Sequence, residues 1–144
     1  MADIVDVAKY ILEQKGPMST WKLQKLCYYS QAWALAWSGN PLFNEDFQAW
    51  SNGPVCYELY KLHEGRFMVD KDTFDCGHSE CLSDAQKRNI DTVLQDYGDD
   101  DAYQLREQTH SESPWIIARG DTPAGEKSKA IVTKDSMGEY YGSL

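Results

Sequence analysis

The sequence predicts a mainly α fold, a single-domain helical bundle that carries a small β-hairpin or extended element. Three observations lead there. Apolar residues recur three or four apart through most of the chain, the spacing of one helix face. Strong breakers separate these runs, at Gly16-Pro17, Ser38-Gly39-Asn40-Pro41 and Asn52-Gly53-Pro54. The 144 residues, 42% hydrophobic with five Trp, nine Tyr and four Phe, suffice for one core without disulfides or metal.

Taken in order, Ile4, Val5, Ala8, Ile11 and Leu12 fall at helical spacing, and Gly16-Pro17 closes that helix. Ser19 or Thr20 can cap a second helix. Its inward stripe is Leu23, Leu26, Cys27, Ser30, Ala34 and Trp37, which suits a central core helix. A short extended segment follows at Phe47–Trp50. Pro54 is expected in the first turn of a third helix, where its missing N–H costs nothing. That helix turns Val55, Leu59 and Leu62 inward and stops near Gly65. Residues 66–81 are the expected place for a hairpin or ordered loop. Ser83 and Gln86 form a capping-box pattern ahead of Ile90, Val93, Leu94 and Tyr97, with Gly98 as the C-terminal cap. Asp99–Asp101 opens a further helix through Leu105, its carboxylates favoured by the helix dipole. Ser113-Pro114 starts a short helix through Trp115, Ile116 and Ala118. Residues 120–130, rich in Gly, Pro, Lys and Ser, read as mobile, and a last helix spans about Lys134 to Tyr141.

The net charge is −9, and it is unevenly spread. Residues 91–112 hold five Asp and two Glu against Arg106 alone, whereas residues 1–44 are nearly balanced. Such a surface repels phosphate backbones and attracts basic partners. No apolar run approaches a membrane span, and residues 1–15 lack the apolar stretch of a signal peptide. Cys27, Cys56, Cys76 and Cys81 are therefore expected as reduced thiols, and the protein as cytoplasmic.

Chemical sites are few. Cys76, His78 and Cys81 offer three zinc ligands within six residues, but at no standard spacing and without a fourth. No local signature joins His63, His78 or His110 to a cysteine nucleophile. Phosphate loops, dinucleotide fingerprints and metalloprotease or esterase motifs are missing. No catalytic residue, metal or cofactor is expected, and the chain reads as a non-enzyme. The first two helices have the rhythm of a helix-turn-helix unit, with Trp21, Lys22 and Lys25 off the core stripe and able to meet phosphate. Two lysines on an acidic chain make nucleic acid the weaker reading. The aromatic surplus is more telling. Trp21, Tyr28, Tyr29, Trp33, Trp37, Trp50, Tyr57, Tyr60 and Trp115 cannot share one face of their elements. They require either a second packed layer or a protein-binding patch.

Three ordered motifs then carry a resemblance. They are Gly16-Pro17-Met18-Ser19 with Lys22-Leu23-Gln24-Lys25-Leu26-Cys27-Tyr28-Tyr29-Ser30-Gln31-Ala32; Pro41-Leu42-Phe43 with Phe47-Gln48-Ala49-Trp50-Ser51-Asn52-Gly53-Pro54-Val55 and Tyr60; and Thr109-His110-Ser111-Glu112-Ser113-Pro114-Trp115. Together they resemble the Panacea-domain antitoxin family of SocA-like and phage-associated GepA-like proteins. The resemblance implies a single Panacea-like domain over residues 1–144. It also implies an antitoxin that neutralises a toxin protein encoded nearby by direct binding. In SocA-like members the domain can deliver the toxin to a Clp-type protease, which is the alternative role. By motif position, the resemblance places partner binding at Lys22, Gln24, Lys25, Trp50, Pro54, Tyr57, His110 and Trp115. Residues 66–82 fall outside the pattern.

Overall fold

The computed structural model describes residues 2–144. Everything is arranged around α2 (Thr20–Ser38), with Ser19 Oγ accepting from the Lys22 N–H at 3.2 Å and Gly39 closing it at φ +75°. Residues 23–32 are buried without a break. They are covered by α1 (Ile4–Lys15), α4 (Asp84–Tyr97), α5 (Ala102–His110), α7 (Lys134–Gly142) and the strand β3 (Gly53–Cys56). A helix buried all round has no wet face, so each of its polar side chains needs a partner inside the protein.

Two glutamines seven residues apart show how that need is met. Gln31 accepts from the Leu42 N–H and donates to the Phe43 carbonyl, both at 2.8 Å. Gln24 accepts from the Cys56 N–H at 2.8 Å and donates to the Cys56 carbonyl at 3.1 Å. Each amide thus replaces a neighbouring strand for backbone that has none. The second amide hydrogen of Gln24 is directed at His63 Nε2, 3.0 Å away. His63 therefore accepts at Nε2 and carries its proton on Nδ1, consistent with burial holding its pKa below the ordinary histidine value.

The antiparallel sheet has the order β3-β2-β5, with β2 at Phe47–Trp50 and β5 at Ile131–Val132. Its register pairs Phe47 with Cys56 and Val132, and Trp50 with Gly53. A second pairing joins β1 (Met18–Ser19) to β4 (Met68–Val69). The short helices α3 (Tyr57–His63) and α6 (Ser113–Arg119) flank the larger sheet, and two 3-10 turns lie at Lys71–Phe74 and Ser79–Cys81. Capping boxes begin α4 at Ser83 and α5 at Asp101. No helix among the described residues is long and apolar enough to cross a membrane.

The aromatic surplus divides in two. Tyr28, Tyr29, Phe43, Phe47 and Tyr141 are core residues, with Tyr29 stacked on Tyr97 at 4.1 Å. Glu112 lies among them, buried, and accepts from the Tyr29 and Tyr141 hydroxyls at 2.7 Å and from Gln108 Nε2 at 3.0 Å. The second set surrounds Trp21 at the surface.

Several expectations need correction. Pro54 is not in the first turn of a helix; it faces Ala49 in β3, an edge strand where a missing donor is tolerated. Val55 is buried in that strand rather than on a helix, and Leu62 points outward at 46% exposure. Trp37 leaves the core stripe and is 48% exposed, its ring 5.4 Å from that of Trp33. The hairpin falls at residues 47–56, while 66–81 contribute one short strand and the 3-10 turns. Helix α5 continues past Leu105 to His110. The segment read as mobile is tied down by Arg119, whose Nη2 donates to the carbonyls of Pro123 at 2.9 Å and Glu126 at 2.7 Å.

Candidate functional site

Three adjoining clefts share Trp21, in the first turn of α2. The largest, about 430 Å³, has Trp50, Asn52, Tyr57, Tyr60 and Lys127 in its walls. A second, about 150 Å³, reaches Gln24, Tyr60 and His63. The third, about 220 Å³, is formed by Trp21, Lys25, Asn52, Ala102, Tyr103 and Arg106. Lys25 is the only fully buried residue of those six.

Lys25 was expected off the core stripe, free to meet phosphate; instead it is 1% exposed. β3 and α5 pack over the face that the helical stripe alone leaves open. Its Nζ has no hydrogen-bond partner among the described residues and lies 5.2 Å from the Trp21 ring centroid. Burial, reinforced by the nearby Arg106 charge, pushes its pKa down to about 7. Gly53 is shaped around this ammonium. At φ +116° it adopts a conformation that suits glycine, and a Cβ there would stand 2.8 Å from Lys25 Cε. Arg106 reaches over from α5, donating from Nε to Asn52 Oδ1 at 3.2 Å while its Nη1 pairs with Glu107.

Behind this cleft, His110 stacks on Trp115 at 3.9 Å with their planes 10° apart. Burial first, then Arg106, push His110 down to about 4, and its buried Nε2 has no partner among the described residues. Trp115 Nε1 donates to the Trp50 carbonyl at 2.9 Å, and the Arg119 guanidinium lies 5.0 Å from the Trp115 ring. The basic groups Lys25, Arg106 and Arg119 thus gather on one side of an acidic chain.

The residues singled out by motif position separate accordingly. Lys25, Trp50 and Tyr57 line the clefts around Trp21. Gln24 reaches one cleft, yet its amide is committed to Cys56 and His63. Pro54 is buried, and Lys22 is half-buried in the first turn of α2. His110 and Trp115 support the clefts from within. The sequence reading did not single out Asn52, Tyr103 or Arg106 as site residues. Nor did it see that Glu112 and Arg119 are buried.

The cysteine cluster lies elsewhere. Cys76 and Cys81 are exposed free thiols, and His78 Nδ1 meets Glu80 at 3.3 Å. No group of three His, Cys, Asp or Glu among the described residues is arranged to hold a metal ion. Cys27 and Cys56 are buried, which pushes both thiols up, Cys56 to about 12.

Comparison with known proteins identifies the family. The profile of the SocA-like antitoxin Panacea domain matches residues 23–116. The chain belongs to this SocA-like Panacea-domain family. It is also similar to antitoxin SocA of Caulobacter vibrioides (strain NA1000 / CB15N), at 32% identity over 130 aligned positions that take in 79% of this chain and 69% of the relative. No solved structure matches. The Panacea match contains Lys25, Asn52, Gly53, Arg106 and Trp115, so most of the third cleft lies inside it, while Trp21 precedes it and Arg119 and α7 follow it.

Proposed function

We propose that this antitoxin acts in the cytoplasm, without catalysis, by binding a toxin protein encoded beside it through the surface centred on Trp21. The observation that carries this reading is the pairing of aromatic walls with basic groups in connected clefts. Trp21, Trp50, Tyr57 and Tyr60 line them, with Lys127 5.9 Å from the Trp50 ring and Lys61 5.4 Å from the Tyr57 ring. Tryptophan and tyrosine in pockets are frequent anchors of protein interfaces, and the lysines beside them add positive charge at the rim. Cys27 and Cys56, both buried, are held as thiols and are poor nucleophiles. A DNA-reading role is disfavoured because α2 is enclosed by other elements and Lys25 is turned inward, leaving Lys22 to face a phosphate backbone.

Expression of the neighbouring reading frame, with and without this protein, tests the reading. Growth arrest by the neighbour alone is expected, with relief on co-expression and co-purification of the pair. Relief that comes with falling neighbour levels and requires a Clp-type protease would replace masking by delivery. A harmless neighbour would remove the reading altogether.

A further inference from the structure

We propose that the cleft formed by Trp21, Lys25, Asn52 and Arg106 is a carboxylate-acceptor site that takes one Asp or Glu side chain of the toxin. This rests on the direct-binding reading and gives it a chemistry.

The cleft is rich in free donors. The Lys25 ammonium has three N–H groups and no partner among the described residues. Asn52 spends its carbonyl oxygen on Arg106, so its amide hydrogens remain available. Arg106 keeps N–H groups beyond those given to Asn52 and Glu107. None of the six residues that form the cleft is a carboxylate. Arg106 has its counter-charge in Glu107 outside the cleft, whereas the buried Lys25 amine has none among the described residues, in a protein of net charge −9.

Size narrows the occupant. At about 220 Å³ the cleft is smaller than ordinary cofactor or drug pockets, and it suits the tip of a single side chain. A carboxylate entering beside Trp21 meets the accessible N–H groups of Arg106 and Asn52 first, and a small shift of the Trp21 or Arg106 side chain opens the enclosed Lys25 Nζ to it for a charge-assisted hydrogen bond. It also supplies what the buried ammonium lacks, so Lys25 is held protonated in the complex. Gly53 completes the design, because any side chain at that position would press on Lys25 Cε and Nζ.

The test combines a small probe with the whole partner. N-acetyl-aspartate amide titrated into nitrogen-15-labelled protein should give saturable shifts at the Trp21 indole N–H and Arg106 Nε–H. The shifts should vanish with N-acetyl-asparagine amide and in Lys25→Met and Arg106→Gln, each of which keeps a dispersed spectrum. Toxin affinity should fall about 30-fold or more in Lys25→Met. That loss should disappear once one particular toxin Asp or Glu is replaced by its amide, the signature of a coupled pair. Equal toxin affinity for wild type and Lys25→Met would overturn the site while leaving direct binding intact. Saturation by inorganic phosphate with no response to the aspartate probe would overturn the carboxylate assignment.

Discussion

Glu112 and Lys25 are both buried ionisable residues, and the fold treats them in opposite ways. Glu112 sits between α5 and α6 and receives three donors, from Tyr29 of α2, Tyr141 of α7 and Gln108 of α5. Lys25 sits under Asn52 and Gly53 and has no hydrogen-bond partner among the described residues, only the Trp21 ring 5.2 Å away. The first joins three helices, because a carboxylate with all its donors in place orients the groups around it. The second holds nothing together. Its aliphatic stem packs, but its ammonium has lost water without gaining a hydrogen bond, which lowers the stability of the fold. The carboxylate site proposed above would account for that cost.

The largest expected effect falls on the satisfied partner. Glu112→Ala strands two tyrosine hydroxyls in the core, while the exposed Gln108 amide turns to water, and should cost roughly 3–5 kcal/mol in urea denaturation. A loss below 1 kcal/mol would show that the network is not structural. Next comes the glycine shaped around Lys25. Gly53→Ala puts a Cβ into an unfavourable backbone region and against Lys25 Cε, at an expected cost of about 1–3 kcal/mol. Pairing it with Lys25→Ala should return part of that loss, since the clash is with the lysine itself.

A smaller effect separates His110 from both. Its pKa in the folded chain, about 4, lies below the ordinary histidine value of 6.5, so the unfolded chain takes up the proton first as pH falls. Stability is therefore lost as pH drops from about 6.5 towards 4. His110→Phe keeps a flat ring against Trp115 and should flatten that part of the pH profile. An unchanged acid slope would assign the loss to other groups.

How much of this was legible depends on distance along the chain. The helices α1 and α4 follow from their own periodicity, and the Ser83-to-Gln86 cap from local chemistry. Trp50, Tyr57 and Lys25 carried motif positions, so the sequence pointed to one side of the clefts. What it hid was Lys25's environment. A helical stripe assigns one face inward, but α2 is enclosed by elements that return from residues 53 to 56 and 102 to 110. Arg106 and Asn52 are 54 residues apart and meet only through tertiary packing. Pro54 fits both a helix start and an edge strand, and local rules do not choose between them. Gln24 and Gln31 were the readable signal that passed unused: two amides seven apart on a helix this apolar have to satisfy buried backbone.

The most direct test of the contrast is one variant measured twice. Lys25→Met keeps the packed stem and removes the ammonium. At pH 6 it should be more stable than wild type, by something on the order of 3 kcal/mol. The gap should narrow as pH rises above about 7, because the folded lysine gives up its proton there while the unfolded one keeps it to near 10.5. The same variant, assayed for rescue of cells that express the toxin, should fail. A Lys25→Met protein that is less stable than wild type, or that rescues growth as well as wild type, would contradict the claim that this lysine is held unpaired for a partner.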